Sequence, residues 1–146
     1  MGAVPVKQSP ETPCNCLAIR QAARVITQLY DRHLAAENLR TTQYSILSKL
    51  GRLGPLPINA LAQSMAMDRT TLGRAVQPLE RDRLIAIAAD RDDRRVRIVR
   101  LTQAGQARLQ AALPHWRKAQ QEFEAGYGAS DAASLRDALG RIVEAT

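Results

Sequence analysis

Residues 57–105, PINALAQSMAMDRTTLGRAVQPLERDRLIAIAADRDDRRVRIVRLTQAG, restrict the fold more than any other part of this chain. Pro57 suits a first helical position, where a missing N–H costs nothing. Ile58, Leu61, Ala62 and Met65 follow at helical spacing and predict one short amphipathic helix. Asp68 suits the N-cap of a second helix, because its carboxylate can accept the orphan amide hydrogens there. Leu72, Ala75, Val76 and Leu79 then make a buried stripe, which leaves Arg69, Thr70, Gly73, Arg74 and Gln77 outside. A donor-rich, exposed helix face is what reading base edges in a major groove requires. The pair is a helix-turn-helix.

The next residues predict a hairpin. Leu84, Ile85 and Ile87 run into one strand, and Val96, Ile98 and Arg100 alternate with Arg97, Val99 and Leu101 on the returning one. Between them stand Asp90, Arg91, Asp92, Asp93, Arg94 and Arg95, six charged residues in a row. Unpaired charges cannot be buried cheaply, so this run is a solvated tip. Taken alone it is a soluble turn. One hairpin after a basic helix it becomes a wing, whose arginines can enter a narrow minor groove where the negative potential is deepest.

Several runs in order resemble the MarR family of bacterial transcription regulators. They are Thr42-Gln43 with Leu47 and Leu50, Leu61-Ala62, Asp68-Arg69-Thr70-Thr71-Leu72, Leu79-Glu80, Leu84-Ile85, Asp93-Arg94-Arg95 and Leu101-Thr102-Gln103-Ala104-Gly105. The resemblance covers nearly the whole chain. It implies a dimeric winged-helix repressor whose grip on DNA responds to a small molecule or an oxidant. Carried across, Arg69, Thr70, Thr71 and Arg74 lie on the recognition helix, Asp93 orients the wing, and Arg94 and Arg95 reach the minor groove. Where the family often has glycine before the Leu84-Ile85 pair, this chain has Arg83. A left-handed backbone at that point would cost arginine about 1 kcal/mol or more. Pro78, late in the same helix, removes one ladder bond and should bend it.

Charge agrees with a polyanionic partner. The net charge is +7, and eighteen of the 21 basic residues are arginine, which grips guanine and phosphate with two parallel donors. Membrane-surface proteins can also be basic. However, no stretch approaches the length of an apolar membrane span, and no charged start leads into an apolar run. A cytoplasmic protein is expected. With 146 residues and 45% hydrophobic content, the chain suits one domain with a real core, residues 12–146. Residues 1–11, with two prolines and almost no pattern, are expected to be a flexible arm ahead of it.

The remaining segments predict helices around the winged module of residues 41–102. Thr12 and Pro13 suit the cap and first position of helix one. Its apolar residues Leu17, Ile19, Ala22, Ala23, Ile26, Leu29, Tyr30 and His33 cover more than half its circumference, so it needs more than one neighbour. A second helix starts near Thr41 or Thr42 and ends at Gly51 and Gly54. Thr102 caps a long helix whose seam is Leu109, Leu113, Trp116, Gln120, Phe123 and Tyr127, with a kink expected at Pro114. Gly126 and Gly128 should break it, Ser130 should cap a last helix, and Leu135, Leu139, Ile142 and Val143 are its stripe. The expected fold is mainly α with a small β-hairpin wing: a winged helix-turn-helix plus a helical dimerisation layer of residues 12–38 and 103–146. The alternative is an intramolecular helical layer. A two-fold homodimer would offer two recognition helices to half-sites about 10 bp apart, so its double-stranded DNA operator should be pseudo-palindromic.

The signal sensed is less constrained. Cys14 and Cys16 fall in the expected first turn of helix one, where the helix dipole favours thiolate, so they are candidate redox residues. They could instead be small buried apolar side chains. Residues two apart point to different helix faces, so a bond to a partner chain suits them better than a bond to each other. The other candidate effector is a small aromatic acid held between dimer helices and winged module, with Tyr30, His33, Tyr44 and Trp116 as walls and Arg20 or Arg24 for its carboxylate. No cofactor or metal is expected. Neither histidine lies in a nucleophile–base or metal motif, which argues against an enzyme. A dimeric helical scaffold that binds protein partners would keep the seams, yet need no arginine wing.

Overall fold

A computed structural model of the chain describes residues 13–145. It is mainly helical with a small sheet, as expected. Helix α1 (Asn15–Leu34) leads through a 3₁₀ turn, Ala35–Glu37, to α2 (Thr41–Leu53). Strand β1 (Leu56–Pro57), α3 (Ile58–Ser64), α4 (Arg69–Arg81), β2 (Ile85–Ala89) and β3 (Arg97–Leu101) follow, then α5 (Gln103–Tyr127) and α6 (Ala129–Glu144).

The wing is a three-stranded antiparallel sheet in the order β1-β3-β2, one strand more than the expected hairpin. Val99 pairs with Leu56 on one side and with Ile87 on the other. Pro57 is therefore extended (φ −55°, ψ 141°) and caps α3 instead of standing at its first position. A proline fits there because an edge strand can do without its amide donor.

Leu34, Leu39, Ile46, Leu47, Leu50, Leu61, Leu72, Val76, Leu79, Ile85 and Val99 are buried in one core. Each such side chain contributes roughly 1.5–3 kcal/mol over leaving it in water. The core lies under the winged module and reaches α5 at Ala112. Consequently α4 is fixed along its length by Leu72, Val76 and Leu79, while its opposite face is open to solvent. Pro78 does not end the helix, which continues to Arg81.

Three joints share one device. After α4, the Leu84 amide donates to the Leu79 carbonyl at 2.9 Å and the Arg83 amide to Glu80 at 3.0 Å, with Arg83 left-handed at φ 59°. After α3, Met67 donates to Ala62 at 2.9 Å and Ala66 to Gln63 at 3.1 Å, with Ala66 at φ 51°. After the 3₁₀ turn, Leu39 donates to Leu34 and Asn38 to Ala35, with Asn38 at φ 54°. The first two are complete Schellman caps, and the third repeats their bond pattern. None of the three uses the glycine usual at the left-handed position.

Several helix ends differ from the sequence reading. Helix α1 begins at Asn15, capped by Cys14, whose Sγ accepts the Leu17 amide at 3.4 Å. Pro13 precedes the helix, and Thr12, like the arm, lies outside the described residues. A thiol is too weak an acceptor for cap rules to anticipate. Gly126 stays inside α5, because the chain turns only at Gly128 (φ 102°). Gly128, not Ser130, then stands at the N-cap of α6. Leu17, Val25 and Ile142 are half or more exposed, leaving apolar faces of α1 and α6 open in the single chain. No described helix is long and apolar enough to cross a membrane.

Candidate nucleic-acid interface

The start of α4 is set by one carboxylate. Asp68 Oδ1 accepts the Thr71 amide at 2.7 Å and Oδ2 accepts the Thr71 hydroxyl at 3.0 Å. The bond from the Thr71 backbone, then that from its hydroxyl, holds the Asp68 carboxyl below its usual range. Thr71 thus spends its hydroxyl proton on the cap and orients the helix. Arg69, Thr70, Arg74 and Gln77 are exposed on the same helix. Charge and amide donors here are carried on a rigid element, since the opposite face is locked into the core.

The wing tip is similarly closed from within. The Asp90 amide donates to the Val96 carbonyl at 2.8 Å, and the Val96 amide to the Asp93 carbonyl at 3.0 Å. Asp93 Oδ1 accepts both the backbone amide of Arg95 at 3.1 Å and its Nε at 3.2 Å, while Oδ2 accepts Nη2 at 3.4 Å. The Arg95 side chain, then its amide, pulls the Asp93 carboxyl below its usual range. Arg95 is therefore held by Asp93. Arg94 is exposed and forms no ion pair with the described residues, so it is the more available of the two.

A junction absent from the sequence reading ties helix and wing to α5. The Thr102 hydroxyl donates to the Arg83 carbonyl at 2.7 Å and accepts the Gly105 amide at 3.0 Å. Its backbone amide donates to the Leu84 carbonyl at 3.1 Å. The Thr102 run was visible in the sequence as a helix cap. Its second role depends on the left-handed turn at Arg83 (φ 59°), the position where the family resemblance placed a glycine and this chain has arginine.

The four residues expected to wall an effector pocket do not come together. The Tyr44 and Trp116 rings stack with centroids 6.0 Å apart and line a cleft of about 400 Å³ with Ser45, Ser48, Lys49 and Arg52. Burial raises the Tyr44 phenol above its ordinary pKa. Tyr30 instead bonds Gln120, and His33 Nε2 lies 2.6 Å from Glu122, so both fasten α1 to α5. Burial, then the nearby Glu124 carboxylate, raises the Tyr30 phenol. Arg20 and Arg24 are exposed on α1 and do not line that cleft. Cys14 and Cys16 are free thiols, and in the single chain neither is the small buried side chain that the sequence also allowed. Cys16 lies in the first turn of α1, whereas Cys14 is its cap.

Residues 39–96 match the MarR family. A probable transcriptional regulator from Pseudomonas aeruginosa is 33% identical in its crystal structure. The match covers 88% of this chain and 96% of that one, with a TM-score of 0.79. The M. tuberculosis transcriptional regulator MosR, crystallised in complex with DNA, is 34% identical over 91% of this chain and 96% of its own, with a TM-score of 0.82. The HTH-type transcriptional repressor NicR of Pseudomonas putida is 25% identical, covering 86% of this chain and 80% of that protein.

Proposed function

The chain belongs to the MarR family, and we propose that it regulates transcription as a homodimer gripping a pseudo-palindromic operator. It is a transcription regulator of MarR type that binds DNA. In this reading Arg69, Thr70, Arg74 and Gln77 face the major groove, Thr71 and Asp93 orient them and the wing, and Arg94 and Arg95 reach the minor groove. The observation that carries it is the open face of α4 beside an arginine-tipped wing, both fixed from behind by the core. Its relative MosR, bound to DNA, supports the same use.

Residues 12–38 and 103–146 are assigned to subunit contact. Leu17, Val25 and Ile142 stay exposed in the single chain, and a groove between α1 and α5 lined by Val25, Leu29, Phe123 and Tyr127 is open. A partner helix layer would cover both. Two half-sites bound through one rigid dimer gain from effective concentration, so a change in the angle between modules releases DNA.

Repression relieved by a small aromatic acid is the favoured mode. The Tyr44–Trp116 cleft supplies a stacking wall, with Lys49 and Arg52 for the carboxylate. Oxidation of Cys14 and Cys16 is a second reading, supported by their exposure. Footprinting of the DNA flanking its own gene, with sedimentation of the free protein, tests the core reading. A protected palindrome and a dimer are expected. A dimer that protects no DNA would leave the dimeric helical scaffold as the better description, and a monomer would end both readings. Repeating the footprint with benzoate or peroxide separates the two signals, since a Cys14→Ser, Cys16→Ser variant should answer only benzoate.

A further inference from the structure

Gly73 lies mid-way along α4, one helical turn after Arg69 and Thr70 and one before Gln77. Its backbone is not left-handed. Among the described residues, and apart from its chain neighbours and the backbone of α4 itself, nothing lies within 4 Å of where a Cβ would stand. Gly126 and Gly140 are equally open but lie on α5 and α6, whereas a Cβ at Gly51 or Gly105 would run into the Leu109 side chain or the Leu84 backbone; Gly73 is the open one on α4. Apart from proline, glycine is the poorest residue for a helix interior, so the free protein gains nothing from it at this position. What it does offer is a bare strip of helix backbone that another surface can approach closely.

We infer that Gly73 is a specificity-determining position, and that the gap above it receives a base edge in the major groove. This rests on the DNA-binding reading above. With no side chain at 73, α4 can lie close enough for Arg69, Thr70 and Gln77 to reach bases on either side. A thymine methyl, the one apolar group in the groove, is the feature best matched to a bare backbone. A side chain at 73 would hold the helix away from every base beneath it, while leaving the wing's phosphate and minor-groove contacts in reach.

The Gly73→Ala and Gly73→Leu variants test this on two independent scales. The melting temperature of the free protein should rise by about 2–4 °C for alanine. Affinity for the footprinted fragment should fall about tenfold for alanine and further for leucine, with affinity for random DNA nearly unchanged. Unaltered operator affinity, equal losses on both DNAs, or a lower melting temperature would each overturn the inference. Should the unmodified protein protect no DNA, the DNA-binding reading fails with it, and that result does not depend on either variant.

Discussion

Gly105 rests against the backbone of Leu84: a Cβ on it would overlap the Leu84 carbonyl oxygen and stand 2.9 Å from the carbon behind it. The first turn of α5 is thereby pressed onto the residue that leads out of the cap of α4. Backbone cannot step aside as a side-chain tip can. Gly105→Ala should cost about 2–3 kcal/mol of stability, as overpacking of a fixed site does. Urea unfolding reads this directly, and a loss below about 1 kcal/mol would show that the joint yields.

Arg83 and Ala66 carry a strain that glycine would relieve. Both are left-handed, and both side chains are exposed. Replacing either by glycine removes about 1 kcal/mol of backbone strain, partly offset by the greater freedom of glycine when unfolded. A net gain of roughly 0.5 kcal/mol is expected in urea midpoints. A loss would mean that Arg83 or Ala66 contributes through its side chain.

At the wing, Asp93 and Arg95 should behave as one unit. Since Arg95 is engaged by Asp93 through both side chain and backbone, Asp93→Ala and Arg95→Ala together should weaken operator binding little more than either alone. Arg94→Ala should act separately. Removing one arginine charge that displaces a counterion from the DNA flattens the plot of log affinity against log salt by about 0.9. Additive losses at 93 and 95 would show that the arginine works free of the aspartate.

Acid should loosen the start of α4. The folded-state carboxyl of Asp68 is depressed by its bonds to Thr71. Its contribution is complete above the unfolded carboxyl pKa of about 3.9 and disappears as pH falls through the lower folded value. Asp68→Asn, which can still cap, should remove this part of the acid sensitivity. Melting curves between pH 2 and about 6 compare the two. Identical slopes would assign the acid loss to other carboxylates.

If Arg74 reads a base edge as proposed, Arg74→Ala should harm operator binding more than binding to random DNA, because it removes a donor as well as a charge. Equal losses in a paired titration would place Arg74 on phosphate alone.

What could be read from residues alone follows the reach of the forces involved. The cap at Asp68, the stripe of Leu72, Val76 and Leu79, and the paired strands all arise from neighbours within a few positions, and all were legible. Strand β1 was not, because two residues ending in proline carry no alternation, and only pairing with Val99 makes them a strand. Cys14 as a cap broke the usual preference for oxygen. Tyr30 and His33 looked like pocket walls, yet partners some ninety positions away, Gln120 and Glu122, engage them. For the proposed DNA-facing side the sequence supplied candidate residues, but not the different surroundings of Arg94 and Arg95. That difference depends on where the Asp93 oxygens point, which is at Arg95.

The apolar residues left open on α1 and α6 make this protein's durability a matter of supply. If subunits bury Leu17, Val25 and Ile142 against each other, dilution strips away part of what holds each one together. Mass action then makes the midpoint of a heating curve climb as the sample is concentrated. In a cell, scarce copies would be the fragile ones, open to proteolysis before they find a mate. The bare helices would thus set a floor on how few molecules can keep a promoter occupied.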